Sequence, residues 1–225
     1  MKRRFMKWKT GMLMVLIITL MVPGLSGMAA TQKQKALNAY KKVLSQKTVD
    51  VLGKGRDNFR YYDTADGLTP KFEKYSPTKA SDVQFAIAYI DNDSVPELIL
   101  KYRKSNEQSP GIFAVFTYKN GKVVRVNAGG GCDQFAGYYS KTGTYRVDNY
   151  YDTYTKDYHK LNNAKTSTIL SYDSSSGYSK VVKGNEIRID RASFAKLYSS
   201  ATKGKSLTKV KFYKNTAGNR NKYLK

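Results

Sequence analysis

Cys132 and His159 are the only cysteine and the only histidine in this 225-residue chain, so any thiolate–imidazole chemistry must use that pair. A cysteine nucleophile needs a base within hydrogen-bond reach and a polar group to orient the base. It usually sits at a helix N-terminus, where the dipole lowers the thiol pKa. Cys132 instead runs into an alternating stretch, 134–140, that predicts a strand, and His159 lies in a polar, tyrosine-rich stretch. A wall hydrolase or peptidase built on Cys132 and His159 is therefore the rival expectation, and a chain that is not an enzyme is the leading one. No carboxylate pair stands out for glycosidase chemistry either. A single cysteine excludes an internal disulfide and a Cys-cluster zinc site. The glycines at 129–131 lack the Lys-Ser/Thr pair and the following helix of a phosphate loop.

Two other groups of residues have chemistry to offer. Tyr138, Tyr139, Tyr145, Tyr150, Tyr151, Tyr154 and Tyr158 crowd into 21 residues. Tyrosine is a favoured strand residue, and its ring has both an apolar face and a polar tip. Adjacent pairs put one ring on each face of a strand, so Tyr138, Tyr139, Tyr150 and Tyr151 are candidates for stacking on sugar rings. The second group is basic. Lys203, Lys205, Lys209, Lys211, Lys214, Arg220, Lys222 and Lys225 fill the last 25 residues, with no acid among them. Their field concentrates polyanions, and lysine acts as a point charge rather than a bidentate fork. No nucleic-acid recognition module is visible, so a specific nucleic-acid partner is not expected.

The first 30 residues give the expected address. Lys2, Arg3, Arg4, Lys7 and Lys9 precede an apolar run at 11–22, then Pro23-Gly24 and small residues at Gly27, Ala29 and Ala30. That is the layout of a secretory signal peptide, and the run is short of the roughly 20 residues a spanning helix needs. The expected location is secreted or cell-wall-associated. Without those five basic residues, the remaining 195 residues carry 35 Lys and Arg against 17 Asp and Glu, a formal charge of +18. That length suits one domain with a real core.

The elements follow from periodicity. Ala36, Leu37, Tyr40, Val43 and Leu44 share a face of a helix over 31–46. The polar stretch 47–81 reads as mostly irregular. Alternation then predicts strands at 84–90, 97–102, 111–119, 122–126, 134–140, 144–150, 166–172, 179–182 and 186–189. Asn120-Gly121 is a strong hairpin signal, and a second turn falls at 183–185. Asp190 is placed to cap a short helix with Phe194, Leu197 and Tyr198 inside. A last strand is expected at 207–213. The fold class is α+β, a single domain: a large antiparallel β-meander with an N-terminal helix and a short helix near the C-terminus. The expected divisions are 1–30 signal peptide, 31–81 helix and connection, 82–215 sheet domain with the short helix, and 216–225 basic polar tail.

One segment is recognisable. FAIAYIDNDSVPELIL at 85–100 resembles an F-A-L-x-D-I-D-G-D-G-x-P-E-L-I segment of exported Gram-positive proteins, most of them uncharacterised. It is also similar to the calcium loops of FG-GAP and VCBS-like repeats. In the exported proteins a Tyr-rich meander follows, often with a Y-x-N-G-K hairpin, and Y-K-N-G-K at 118–122 matches it. The resemblance implies a calcium loop between two strands. Of its ligands Asp91 and Asp93 remain, and Glu97 is a further carboxylate; Tyr89 replaces the first aspartate, and Asn92 and Ser94 replace the two glycines. Calcium takes six to eight oxygens, usually several from carboxylates. The expectations are thus a weak calcium site at Asp91, Asp93 and Glu97, or a plain turn whose aspartates bond their own backbone. Otherwise no cofactor is expected.

The expected function is a non-catalytic binding or structural module of the cell envelope, a monomer. Its partners would be anionic envelope polymers, glycans or the membrane surface. A protein-binding inhibitor or immunity-type module is the third expectation.

Overall fold

The computed structural model describes residues 30–51, 58–64, 67–73, 77–102, 111–130, 132–150 and 153–225; for 58–64 and 67–73 it describes the backbone. The expected signal peptide lies outside the described residues. Among them, no helix is long and apolar enough to cross a membrane.

Helix α1, Gln32–Leu44, starts where the Thr31 hydroxyl accepts the Gln34 N–H at 3.2 Å. Its Ala36, Leu37, Tyr40 and Leu44 are buried, at the spacing of one helical face. Two-residue strands β1 (Thr48–Val49) and β4 (Thr78–Lys79) pair with each other. Between them lies a hairpin of β2 (Asn58–Thr64) and β3 (Gly67–Glu73). The stretch 47–81 is therefore more regular than its composition implies. Pro70 sits within β3, which a central strand would not tolerate; in a two-stranded ribbon both strands are edges.

Two sheets form the body. The five-stranded sheet runs in the order β15 (Tyr213–Lys214), β5 (Val83–Ala88), β6 (Glu97–Tyr102), β7 (Ile112–Lys119), β8 (Lys122–Gly129). The six-stranded sheet is an antiparallel meander of β9 (Asp133–Tyr139), β10 (Thr144–Tyr150), β11 (Tyr154–Asn162), β12 (Lys165–Asp173), β13 (Gly177–Val182) and β14 (Asn185–Ile189). Strand β11 was not expected, because its two faces, Tyr-Lys-Tyr and Thr-Asp-His, show no apolar–polar contrast.

The layers explain the patterns. Phe85, Leu98, Leu100, Ala114 and Phe116 face α1, whereas Ala86, Ile99, Phe113 and Val115 face Tyr145, Val147 and Leu161 of the second sheet. Strand β6 is buried on both sides, hence its unbroken Leu98-Ile99-Leu100. The far face of the six-stranded sheet carries helix α2, Arg191–Thr202, whose Phe194 packs with Tyr139, Tyr158 and Leu170. The order is helix, sheet, sheet, helix, an α+β fold in a single domain. Asp190 caps α2 as expected, its Oδ1 accepting the Ser193 N–H at 2.8 Å, and Phe194 and Tyr198 pack inward, but Leu197, expected inside, is 40% exposed.

The C-terminal stretch departs from expectation. In place of a strand at 207–213 there is one bridge, Thr208 to Tyr138, and then β15 on the edge of β5. Gly137 permits that bridge: with φ +151°, a Cβ there would lie 2.5 Å from the Thr208 carbonyl. The expected polar tail is helix α3, Ala217–Tyr223, followed by a fully buried Leu224.

Three two-residue hairpin turns have positive φ at both central residues: Asn120-Gly121, Lys183-Gly184 and Asn163-Ala164. That is the type I′ pattern. Ala164, at φ 59°, has neither glycine's freedom nor a polar group to compensate it. Ala164→Gly is expected to stabilise the fold by about 1 kcal/mol. Thermal melting checks this; an unchanged or lower Tm would mean the turn holds no such strain.

Candidate functional site

The recognisable segment forms the connection from β5 to β6. Asp91 Oδ1 accepts the Asp93 N–H at 3.2 Å, and Asp93 Oδ1 accepts the Val95 N–H at 2.7 Å. These are two successive Asx turns, the plain reading of the motif. Glu97 does more than open the next strand. It is fully buried, and its Oε2 accepts the Ile90 N–H at 2.9 Å while its Oε1 accepts the Thr117 hydroxyl at 3.2 Å. The side chain therefore folds back under its own loop. One carboxylate oxygen from each of Asp91, Asp93 and Glu97 lies within 4.8 Å of the others.

The loop is held from both sides. The Tyr40 hydroxyl on α1 donates to the Pro96 carbonyl at 2.8 Å. From the other sheet, the Lys141 and Gly143 N–H groups donate to the Tyr89 and Ile90 carbonyls at 3.0 and 2.8 Å. Burial pushes the Glu97 carboxyl up to about 8, reinforced by the charges of Asp91 and Asp93 and opposed by the Ile90 N–H. Burial also raises Asp91, with Asp93 adding to the effect and its N–H opposing it. An all-oxygen set of this kind suits a hard divalent cation.

The lysines expected to meet polyanions are on the surface. Lys203, Lys205, Lys209, Lys211 and Lys214 are all exposed, along the path from the end of α2 to β15. At its start they meet other cations. Lys205 Nζ donates to the Ser140 carbonyl at 2.6 Å, and Lys160 Nζ donates to the Thr142 carbonyl. Lys141 is exposed in the same turn. Burial lowers the Lys160 pKa, Lys203 lowers it further, and Asp91 opposes both. Near the end of the path Lys211 lies 5.8 Å from the Tyr213 ring, and Tyr213 stacks on Tyr223 at 3.6 Å.

The four tyrosine candidates separate. Tyr139 is 1% exposed, packed against Tyr158 and Tyr198, so it is not a surface ring. Tyr138 is half-buried against the cluster between the sheets. Adjacent residues do face opposite ways, but both faces of the six-stranded sheet are covered at this point. Tyr150 is 50% exposed. Tyr151 lies outside the described residues.

Tyr150 has company that the sequence alone did not reveal. It stacks on Tyr154 at 4.9 Å. Lys156 Nζ lies 5.1 Å from the Tyr154 ring and 5.5 Å from the Tyr172 ring, and Tyr172 meets Tyr178 at 5.1 Å. The strand register explains the row: Tyr150 pairs Tyr154, Lys156 pairs Tyr172, and Tyr172 pairs Tyr178. Asp148 Oδ2 accepts from the Tyr154 hydroxyl at 3.1 Å and from Arg146 Nη2 at 2.9 Å, and Arg146 Nε is 2.7 Å from Asp148 Oδ1.

The structure does not bring Cys132 and His159 together. His159 pairs Tyr145, while Cys132 precedes Asp133, which pairs Asn149. The two are about five residues apart along the strands, on the order of 17 Å. His159 is part-buried: its ring stacks on Tyr145 at 5.1 Å, Thr168 Oγ1 lies 3.3 Å from its Nδ1, and burial pulls its pKa down to about 4. Strand β8 ends at Gly129 and β9 starts at Asp133, so the element after the glycines is a strand and not a helix. No family model, no characterised protein and no solved structure matches this chain.

Proposed function

We propose that this chain is an exported, non-catalytic protein of the cell envelope that binds anionic polymers through its basic surface. The observation that carries the reading is the gathering of Lys141, Lys160, Lys203 and Lys205 at the β9–β10 turn, continued by exposed Lys209, Lys211 and Lys214. Lys160, whose pKa burial lowers and the Lys203 charge lowers further, is held beside Lys203 against their mutual repulsion. A polyanion laid along them relieves that repulsion and releases its counterions. The attraction is mainly screened Coulombic, with a reach of about 8–10 Å at physiological salt.

The test is co-sedimentation of the purified protein with Gram-positive walls, intact or stripped of anionic polymer, across a salt series. Binding is expected to fall with stripping and with salt. Replacing Lys203, Lys205, Lys209 and Lys211 together by Glu is expected to abolish it, without loss of Tm, because all four are exposed. Binding that ignores both salt and charge reversal would remove the electrostatic reading. No binding to walls at all would move the search to a protein partner.

A further inference from the structure

The six-stranded sheet carries a row of rings that starts at the α2 cluster, where Tyr172 and Tyr178 pack and Tyr178 meets Phe194 at 4.8 Å, and runs out beyond it. Tyr139, Tyr158 and Leu170 are buried beneath α2, but Tyr150 and Tyr154 lie outside that cluster. The row of Tyr150, Tyr154, Tyr172 and Tyr178 crosses four strands, β10 to β13, about 14 Å across the sheet, with Lys156 rather than Tyr154 standing opposite Tyr172. Tyr150, half exposed and stacked on the part-buried Tyr154, leaves apolar ring surface in water. Its setting is polar. The hydroxyl of Tyr154 is turned to Asp148, and Arg146 closes on both oxygens of that carboxylate. With Asp148 neutralised by Arg146, Lys156 leaves the row with a net positive charge between two rings.

Flat apolar faces with a cation set among them suit a ligand that is itself flat, ring-built and anionic. A protein surface would call for a shaped apolar pocket rather than a linear strip of tyrosines around one lysine. We infer that the Tyr150–Tyr154–Lys156–Tyr172 row is a subsite for successive sugar rings of an anionic polysaccharide, with Lys156 answering the sugar's negative group. This rests on the reading of the chain as a binder of envelope polymers, and it adds a stacking site on the outer face of the β10–β13 sheet to the electrostatic one.

Isothermal titration of the purified protein with three probes tests it: tetragalacturonate, a neutral tetramer of N-acetylglucosamine, and sodium polyphosphate. Three variants are compared: Tyr150→Ala with Tyr154→Ala, Lys156→Gln, and the four-lysine charge reversal described above. Tyr150→Ala alone guards against misfolding, because that ring is half exposed. The double tyrosine variant is expected to weaken tetragalacturonate binding about tenfold or more and to leave polyphosphate binding unchanged. Lys156→Gln is expected to weaken tetragalacturonate but not the neutral tetramer. The charge reversal is expected to abolish polyphosphate binding. If tetragalacturonate affinity is indifferent to the tyrosines and falls only with the charge reversal, the stacking site is overturned and the electrostatic reading stands. If the tyrosine variants lose polyphosphate and sugar equally, the row does not recognise sugar. Failure of tetragalacturonate to bind the unaltered protein also overturns the inference.

Discussion

Between pH 6.5 and 8, in EDTA, the melting temperature is expected to fall, and Glu97→Gln is expected to remove the fall. The folded-state pKa of Glu97 is raised to about 8 from an ordinary 4.5. The fold therefore keeps a proton that the unfolded chain has already released. The stabilisation is fully present below pH 4.5 and is lost as pH rises through 8. Below 6.5 a second group works in the opposite sense. His159 is buried neutral with its pKa near 4, so the unfolded chain binds the extra proton between 4 and 6.5, and stability from that source rises with pH. The two slopes largely cancel up to 6.5, above which the His159 contribution ends and the Glu97 slope remains. At about 1.4 kcal/mol per unit, the loss from 6.5 to 8 is about 2 kcal/mol, or roughly 4–8 °C in Tm for a chain of this size.

Glutamine keeps an oxygen for the Ile90 N–H without the charge, so Glu97→Gln should melt at the same temperature at both pH values. A flat wild-type profile, or an equal fall in the variant, would show that Glu97 is not the group titrating. Adding millimolar calcium at pH 8 extends the test. The Asx turns account for Asp91 and Asp93 by themselves, and an unchanged Tm would leave the loop as a turn. A rise at pH 8 that is absent from Glu97→Gln would assign the three carboxylates to the cation.

Cutting the chain after Lys214 is expected to abolish stable folding. Asn215 is buried, and its Nδ2 donates to the Leu44 and Ala80 carbonyls at 2.8 Å each, while Arg220 Nη1 donates to its Oδ1 at 2.8 Å. It joins the end of α1, the short turn before β5 and Arg220 of α3 with one amide group. Its loss leaves two buried carbonyls without that donor, each costing about 1–3 kcal/mol. Leu224, fully buried in the α1 cluster, adds about 2–5 kcal/mol when cut to Ala. Together these approach the 5–15 kcal/mol that holds a whole domain. Circular dichroism of the truncated chain, with Asn215→Ala and Leu224→Ala as graded cases, measures this. Lys222→Ser is the control, since its side chain is exposed. A truncated protein melting with the intact one would return 215–225 to the status of a tail.

What could be read from the chain was local. Asn120-Gly121 turns where it should because both residues tolerate positive φ. Asp190 caps because a short acceptor just before the inward-facing Phe194 and Tyr198 has few other uses. Asp91 and Asp93 bond the backbone two residues on, which needs no partner beyond the loop. Alternation identified most strands of both sheets, because a pleated strand shows its two faces in a period of two. It missed β11, where Tyr154, Lys156 and Tyr158 share one face and Thr155, Asp157 and His159 the other, so the faces differ in shape more than in polarity.

The sequence by itself determined the α+β class, the meander and its turns, the basic balance and the Asx loop, since each depends on residues a few positions apart. Only the tertiary structure decided which tyrosines meet solvent, that Glu97 folds under its loop, that Cys132 and His159 stand apart, and that the last eleven residues brace the core. The reason is that a strand's two faces are defined locally, whereas what covers each face is another layer of the chain. Tyr139 and Tyr150 belong to the same face of neighbouring strands, yet one lies beneath α2 and the other reaches water.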